Sequence, residues 1–255
     1  MKLATWNVNS IRSRLDRLLA WLSAHGPDVL CLQEIKLVDE LFPLDAIRAA
    51  GYHAAVFGQK TYNGVAILAR AEPTVIARGF GDGVDDPQAR FLDARIGEIR
   101  VLNCYVPNGS EVGSEKWRYK LAWLERLAGY LAAHCDVQEP LVLCGDMNVA
   151  PEARDVHDPA LWEPTVLFHP EARAALAQVT AWGLEDVFRR HRAEAGLFSW
   201  WDYRQLAFPK NQGLRIDHVF ATAPLAARST EAAIDREQRK GQQPSDHAPV
   251  IVSFR

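Results

Sequence analysis

The stretch Leu141-Val-Leu-Cys-Gly-Asp-Met-Asn148 decides how the rest of the chain is interpreted. Its four apolar residues follow one another without alternation, which predicts a strand covered on both faces. Asp146 and Asn148 stand where this strand leaves the core, and in an extended chain side chains at that spacing point the same way. A carboxylate and an amide facing one point are suited to holding a water molecule beside an anion. The alternative is a strand that ends in an Asx-turn, and these eight residues alone slightly favour it.

The composition is that of a globular protein with a sizeable core. The chain has 255 residues, of which 48% are hydrophobic, enough for one large domain or two small ones. No run of eighteen apolar residues occurs, and the N-terminus enters strand-like sequence directly, so neither a membrane span nor a signal peptide is expected. The four cysteines form no C-x-x-C pair, so we expect reduced, structural thiols in a cytoplasmic protein. With a net charge of −3, a nucleic-acid enzyme would need a local basic patch and a metal ion.

Strand-like and helix-like segments follow one another along the chain, with no linker between them. The predicted strands are 2–8, 28–34, 52–57, 64–69, 73–78, 91–96, 99–106, 141–146, 198–203, 214–222 and 248–254. Helices are predicted around 15–22 with Asn9 or Ser10 as the cap, after Pro43, after Ser114, and over 171–182. Hairpins and helical crossovers both occur. The pattern predicts an α/β fold, a four-layer sandwich of two mixed β-sheets packed face to face with helices outside, in a single domain spanning 1–255.

Polar residues recur at the ends of the predicted strands. They are Asn7, Glu34, Tyr105, Asp146, Asn148, Asp217, Asp246 and His247. Each has an ordinary explanation when taken alone, such as a turn or a solvated strand end. Together they are unusual, because a buried carboxylate needs a partner and a solvated helix face is a cheaper place for it.

Eight stretches resemble the exonuclease III family of apurinic/apyrimidinic endonucleases, within the endonuclease/exonuclease/phosphatase superfamily. They occur in the family's order and span the chain. They are Thr5-Trp-Asn-Val-Asn-Ser-Ile-Arg12, Leu32-Gln-Glu-Ile-Lys36, Asn63-Gly-Val-Ala-Ile67, Asn103-Cys-Tyr-Val-Pro-Asn-Gly109, Gly145-Asp-Met-Asn-Val-Ala-Pro151, Ser199-Trp-Trp-Asp-Tyr-Arg204, Arg215-Ile-Asp217 and Pro244-Ser-Asp-His-Ala-Pro249. A single one is a weak indication, whereas all eight together are highly specific.

The resemblance implies a Mg²⁺-dependent DNA repair nuclease acting on double-stranded DNA. It would hydrolyse the phosphodiester 5′ to an abasic site, and would also act as a 3′→5′ exonuclease and trim 3′ ends. The implied metal ligands are Asn7, Glu34 and Asp246, with Asn9 behind them, and oxygen ligands suit Mg²⁺ or Mn²⁺. The implied catalytic residues are Tyr105, Asp146, Asn148, Asp217 and His247. Among these, Asp146 would orient or deprotonate the attacking water, and Asp217 would fix the tautomer of His247.

The same resemblance places the substrate against the second half of the chain. Trp200, Trp201 and Leu214 match the wall of a pocket for an extruded abasic sugar, and extrusion is easiest where no base must be unstacked. At least one of the two tryptophans must belong to the core, because neighbours on a strand face opposite ways. The candidate phosphate contacts are Asn108, Arg90, Lys116, Arg204 and Lys210. For any single lysine or arginine, a solvated surface role is the more common one.

Two other functions fit parts of the sequence. A phosphatase or phosphodiesterase of the same superfamily, acting on inositol phosphates or sphingolipids, would share the metal site but lack the stretch Trp200-Trp-Asp-Tyr-Arg204. A DNA-binding module without catalysis would be expected to have lost an acid or the histidine of the site, and none is missing. For Asp217, a structural ion pair with Arg215 is the alternative to a pair with His247. A monomer is expected.

Overall fold

The computed structural model describes all 255 residues and contains twelve strands in two sheets. In chain order the strands are β1 (Lys2–Asn7), β2 (Val29–Gln33), β3 (His53–Phe57), β4 (Val65–Ala69), β5 (Thr74–Arg78), β6 (Phe91–Ile96), β7 (Ile99–Tyr105), β8 (Leu141–Asp146), β9 (Leu184–Asp186), β10 (Asp217–Thr222), β11 (Ser229–Ile234) and β12 (Val250–Phe254). The α-helices are α1 (Ile11–His25), α2 (Leu44–Ala49), α3 (Glu115–His134), α4 (Pro159–Trp162), α5 (Pro170–Thr180), α6 (Val187–His191) and α7 (Ala223–Ala226). Short 3₁₀ turns lie at Asp39–Leu41, Ala153–Asp155 and Arg236–Arg239.

Each sheet has six strands and one parallel pair. The first sheet has the order β11-β12-β1-β2-β4-β3, and the second has the order β5-β6-β7-β8-β10-β9. β1 runs parallel to β2 and β7 parallel to β8, while the other neighbours are antiparallel. A parallel pair needs a crossover connection, and α1 and α3 are those crossovers. The predicted mixed sheets are therefore confirmed.

Three hydrophobic cores separate four layers. In the central core, residues of the first sheet such as Cys31 and Ile67 pack with residues of the second such as Val101 and Cys144. The outer face of the first sheet is covered by α1 and α2, and the outer face of the second by α3 and α5. The helices thus lie outside the two stacked sheets, as the sequence predicted. None of the helices is long and apolar enough to cross a membrane.

The strand predicted at 198–203 is wrong. Trp200 forms only isolated bridges, to Leu214 on one side and to His247 on the other. Its neighbour Trp201 donates its backbone N–H to Asp246 instead, so no single partner strand is followed for long. The aromatic residues made the segment look strand-like, but it is an irregular connection wedged between two loops. The strand predicted from 214 begins only at Asp217.

Two strands and one cap were not predicted correctly. The edge strands β9 and β11 were missed, because the first has three residues and the second is largely exposed or half-buried. Helix α1 begins at Ile11, but neither proposed cap acts, since Ser10 has φ 85° and makes no capping hydrogen bond. By contrast, Ser114 caps α3 as predicted, with its Oγ accepting a hydrogen bond from the N–H of Trp117 at 3.1 Å.

A glycine allows the two central strands of the second sheet to approach at the site. Gly145 on β8 lies opposite Cys104 on β7 and has φ 140°. A Cβ atom at this position would lie 1.9 Å from the carbonyl oxygen of Cys104. Any side chain would therefore separate the strands immediately before Asp146, where the polar residues begin.

Candidate active site

The predicted polar residues meet at one end of the sandwich. In the second sheet Asp146 ends β8, with Tyr105 beside it on β7 and Asp217 opposite it on β10. In the first sheet Asn7 ends β1, and Glu34 directly follows β2. The two sheets thus bring strand ends from distant parts of the chain to one place. Such convergence cannot be read from spacing along the sequence.

Asp217 and His247 are in direct contact, as predicted. Nδ1 of His247 lies 2.9 Å from Oδ2 of Asp217, and both side chains are buried. The hydroxyl of Ser199 donates to Oδ2 of Asp217 at 2.6 Å. Burial lowers the pKa of His247, but the carboxylates of Asp217, Asp146 and Asp246 outweigh burial and raise the pKa to about 10. The imidazole is therefore held as a cation at neutral pH.

Arg215 is not the partner of Asp217. Its guanidinium is fully buried and donates to Asp155 at 2.6 Å and to Asp186 at 2.8 Å. Its remaining nitrogen contacts Nδ1 of His218 at 2.9 Å. The structural ion pair considered as an alternative is therefore formed with other carboxylates, and Asp217 is left to His247 and Ser199.

Asp146 lies between His247 and Asn7. Its Oδ2 is 3.7 Å from Nε2 of His247 and accepts a hydrogen bond from Nδ2 of Asn7 at 2.9 Å. Burial, reinforced by the charges of Asp217 and Glu34, raises the pKa of Asp146 to about 7, although His247 and Asn7 act in the opposite direction. A carboxylate with a pKa near neutrality is suited to taking a proton from water.

Glu34 is half-buried, whereas Asp146 and Asp217 are buried, and it is held in a strained conformation. Its φ is 51°, a left-handed value that non-glycine residues rarely adopt. Oε2 lies 2.9 Å from the ammonium of Lys36, and Oε1 accepts from Asn7 at 2.8 Å. Burial raises the pKa of Glu34, but Lys36 and Asn7 outweigh it, so the pKa lies below its ordinary value. The side chain is therefore ionised and partly exposed.

One set of residues fits a divalent cation. Ligand atoms of Glu34, Asp146 and His247 all lie within 4.8 Å of one another. Two carboxylates with oxygen donors suit a hard cation such as Mg²⁺. Because His247 is already protonated and paired with Asp217, the carboxylates are the better candidates for direct ligands.

Asn7 and Asp246, predicted as metal ligands, are placed differently. Asn7 turns its amide N–H₂ toward the carboxylates of Glu34 and Asp146, while its oxygen accepts from the N–H of Asn9. Asp246 stands outside the cluster, with one oxygen accepting from Asn9 and the other from the indole of Trp200, each at 3.0 Å. In this arrangement Asn7 presents N–H donors to the two carboxylates, and both oxygens of Asp246 accept hydrogen bonds from other residues.

Asn148 also departs from the expected geometry. The N–H of Asn148 donates to Oδ1 of Asp146 at 2.9 Å, which is the Asx-turn considered as the alternative. Asn148 has φ 49°, so the argument from an extended chain does not apply beyond Asp146. Its side chain is instead fixed by Val106, whose carbonyl accepts from Nδ2, and by Asn108, which donates to Oδ1 at 3.1 Å. The turn and the polar site coexist.

An open groove of about 600 Å³ lies beside Tyr105, the neighbour of Asp146 in the sheet. Four of the predicted residues line it: Tyr105, Asn108, Arg90 and Lys116. The guanidinium of Arg90 lies 4.6 Å from the ring centre of Tyr105 and donates to its carbonyl at 3.1 Å. Burial and the charges of Glu34 and Asp146 raise the pKa of Tyr105 well above its ordinary value, so its hydroxyl stays a donor. Arg204 and Lys210 are not part of this groove.

Of the three residues predicted to form the wall of the sugar pocket, Trp200, Trp201 and Leu214, only Trp200 is accessible. Trp200 is half-buried beside the cluster, with its indole N–H on Asp246 and its ring 5.9 Å from that of Trp162. Trp201 and Leu214 have no exposed surface, so neither is available to a substrate in this structure. Trp201 packs in a small core with Phe198 instead. The expectation that at least one tryptophan belongs to the core is confirmed.

Three residues that support the site were not predicted from the sequence. Ser199 supports Asp217, and Lys36 pairs with Glu34 and also donates to the side chain of Asn9 at 2.6 Å. Lys120 is fully buried behind Asn148. Each had a visible signal, namely a serine within an aromatic run, a lysine two residues after a strand-end carboxylate, and a charge within the apolar face of a helix.

Comparison with known proteins is consistent with this geometry. The profile of the Endonuclease/Exonuclease/phosphatase family matches residues 4–247. Exodeoxyribonuclease III of Haemophilus influenzae is 38% identical over the full length of both chains. Among solved structures, an AP endonuclease from Archaeoglobus fulgidus is 42% identical with a TM-score of 0.97, covering 100% of this chain and 99% of the other. A 3′ phosphatase from Neisseria, solved bound to a product DNA hairpin, is 38% identical with a TM-score of 0.97 and the same coverage.

Proposed function

Because the chain belongs to the endonuclease/exonuclease/phosphatase family, we propose that it is a Mg²⁺-dependent DNA repair nuclease. Its main reaction is hydrolysis of the phosphodiester 5′ to an abasic site in double-stranded DNA, with trimming of 3′ ends and 3′→5′ exonuclease action as further activities. The observation that carries the proposal is the row formed by Asp217, His247 and Asp146, next to the ionised Glu34. This row combines a fixed cation, a base with a pKa of about 7 and a site for a divalent ion.

The protein's own residues supply the proton transfers. Asp146 accepts a proton from the attacking water, since its pKa of about 7 lets it be ionised when water binds and protonated afterwards. His247 donates from Nε2 to a non-bridging phosphate oxygen, where negative charge accumulates. Asp217 holds Nδ1 of His247 and so keeps Nε2 directed toward Asp146. The water's oxygen bonds to phosphorus while the bond between phosphorus and the 3′ oxygen breaks, and the leaving 3′ oxygen takes up a proton from solvent to become a hydroxyl.

Three further groups orient the phosphate. The hydroxyl of Tyr105 and the exposed amide of Asn108 line the open groove, and the side chain of Asn148 is held against Asn108. Held by Glu34, a Mg²⁺ or Mn²⁺ ion would polarise a phosphate oxygen and stabilise charge on the leaving oxygen, which leaves the Asp146 carboxylate to the attacking water. The fit to such an ion rests on the ionised Glu34 carboxylate, a hard oxygen donor that lies next to the cluster where the phosphate would bind.

The groove and Trp200 support DNA as the substrate. Arg90 and Lys116 give the groove the local positive charge that a chain of net charge −3 otherwise lacks. Trp200 offers a flat apolar surface beside the cluster, which suits a sugar that carries no base. No observation favours an inositol phosphate or a sphingolipid over DNA.

The deciding experiment compares substrates under one set of conditions. The protein is incubated with a duplex containing one abasic site, a blunt duplex, a duplex with a 3′ phosphate, and an inositol phosphate, each with Mg²⁺ or with EDTA. We expect incision at the abasic site only with Mg²⁺, and slower release from the 3′ ends.

The variant Asp146→Asn is the control for chemistry, because it keeps the shape of the side chain and removes the base. Faster release of phosphate from the inositol phosphate than incision of the abasic duplex would overturn the proposal. Binding of DNA without hydrolysis of any substrate would favour the non-catalytic module instead.

A further inference from the structure

A lysine is buried in the middle of a helix that otherwise presents apolar residues to the core. Lys120 lies on α3 between Trp117 and Leu124, and its side chain has no exposed surface. An unpaired ammonium in such a place would be costly, because its charge is removed from water. No carboxylate forms a salt bridge with it, so its charge must be satisfied in another way.

Three backbone carbonyls satisfy it. The ammonium donates to the carbonyl of Asn108 at 3.1 Å, to that of Asn148 at 2.7 Å and to that of Val166 at 2.6 Å. An ammonium has three N–H donors, so all of them are used. No other protein donor reaches these three carbonyls. The ammonium is therefore the only protein donor to each of the three carbonyls, and the three carbonyls are its only hydrogen-bond acceptors.

The three carbonyls belong to separate loops that form one wall of the site. Asn108 follows β7, Asn148 follows β8, and Val166 lies in the connection before α5. The side chains of Asn108 and Asn148 also bond to each other, at 3.1 Å. The two asparagines that the proposed function places against the phosphate are thus fixed to one another at their side chains and to one ammonium at their backbones.

The backbone beside Asn108 is shaped to admit the lysine. Gly109 has φ 96°, and a Cβ atom there would lie 3.1 Å from Cδ of Lys120 and 3.3 Å from the ring of Trp117. A side chain at Gly109 would press on the lysine stem. The glycine therefore allows the loop to close over Lys120 at the distance that its hydrogen bonds require.

We infer that Lys120 is a positioning residue for phosphodiester hydrolysis, which clamps the Asn108 and Asn148 loops through their carbonyls. This inference rests on the proposed nuclease function, because it assigns the clamp to the same reaction. Lys120 does not touch the substrate. It acts through the two asparagines, whose amides a shift of about 1 Å would move out of reach of the phosphate.

The test uses Lys120→Met, which keeps the length of the stem and removes all three donors. Its control is Arg118→Met on the same helix, because Arg118 is exposed and bonds only to the carbonyl of Gly113. Lys120→Gln keeps two donors and should fall between wild type and Lys120→Met. Single-turnover incision of an abasic duplex with Mg²⁺ is measured together with hydrogen–deuterium exchange of segments 107–111, 147–150 and 165–168.

We expect Lys120→Met to slow incision by up to about a hundredfold and to speed exchange in all three segments. In a double-mutant cycle with Asn148→Ala, the double variant should be much less impaired than the product of the two single effects. Arg118→Met should match wild type in both measurements. Thermal unfolding separates loss of the clamp from loss of the fold.

Two results would overturn the inference. Unchanged exchange in Lys120→Met would show that the ammonium does not hold the loops, and this readout needs no activity. A second result would be faster hydrogen–deuterium exchange in Lys120→Met together with rate effects of Lys120→Met and Asn148→Ala that multiply in the double variant. Lys120 would then stabilise the loops without acting on the reaction through Asn148. A wild-type protein that incises no abasic duplex would refute the nuclease function, and exchange would then decide on the clamp alone. If Lys120→Met does not fold, the same criteria are applied to Lys120→Gln.

Discussion

The charge on His247 leads to a prediction about stability as a function of pH. His247 has a pKa of about 10 in the folded protein, against about 6.5 for a histidine in an unfolded chain. Between these values the folded state keeps a proton that the unfolded state has lost. The contribution of His247 to stability is therefore fully present below about pH 6.5 and is lost as the pH rises toward 10.

The perturbation is Asp217→Asn, which preserves the shape of the partner and removes its charge. The pKa of His247 should fall, because the carboxylate that raises it most is gone while burial, which lowers it, remains. The free energy of unfolding changes by about 1.4 kcal/mol per pH unit for each proton that distinguishes the two states. Relative to the variant, wild type should therefore lose about 2 kcal/mol between pH 8 and pH 9.5.

The assay is urea unfolding in EDTA, with wild type and variant compared at each pH. Burial lowers the pKa of Lys120 while the three carbonyls around its ammonium favour the charged form, and any contribution of this lysine over the range runs in the opposite direction to that of His247. That contribution is present in both proteins and cancels in their difference. In His247→Asn the free energy of unfolding should fall less steeply with pH than in wild type, as it should in Asp217→Asn. Parallel pH profiles for wild type and Asp217→Asn would refute the argument that this aspartate maintains the charge.

The rate of single-turnover incision should depend on the same pair of residues, Asp217 and His247. Asp217→Asn should lose single-turnover incision on the alkaline side first, where a weaker partner no longer keeps His247 protonated. His247→Asn should be much slower than Asp217→Asn, and the double variant little slower than His247→Asn alone, because the aspartate acts through the histidine. Effects that multiply across the cycle would mean that the two residues act independently.

The remaining predictions concern the carboxylates and the tryptophans. Glu34→Ala should leave thermal unfolding nearly unchanged and nearly abolish Mg²⁺-dependent incision, and near-wild-type activity would remove Glu34 from the site. Asp146→Asn should reduce the single-turnover rate by about 10²- to 10⁴-fold with DNA affinity kept or improved, and a loss of only a few-fold would argue against a general base. Trp201→Ala should cost about 3–5 kcal/mol of stability measured by urea unfolding, since the side chain is fully buried. Trp200→Ala should cost less stability and weaken binding of abasic duplex, and the reverse ranking would contradict their placement.

The sequence by itself determined the layers and the identity of most site residues. Apolar runs without alternation, such as 141–144, can be satisfied only by strands covered on both faces, and long crossovers impose parallel pairs. Carboxylates at the ends of such strands are costly enough to mark a site before any distance is known. Side-chain chemistry required only that the buried Asp217 have a partner and left Arg215 open, so the pairing with His247 was implied by the family resemblance alone.

Only the tertiary structure decided which way each of these side chains points and what lies behind it. The spacing between Asp146 and Asn148 could not show that the backbone adopts a left-handed conformation at Asn148. Nor could it show that the side chain of Asn148 accepts a hydrogen bond from Asn108. Burial of Trp201 and exposure of Trp200 depend on which loops enclose them, and alternation along a strand could not decide this where no strand forms. The sequence marks Lys120 only as a charge on the apolar face of α3, and it cannot show the three backbone carbonyls that are its partners. Every residue has a backbone carbonyl, so the sequence cannot show which carbonyls will surround a lysine. Only the folding of three separate loops around the ammonium of Lys120 determines its partners.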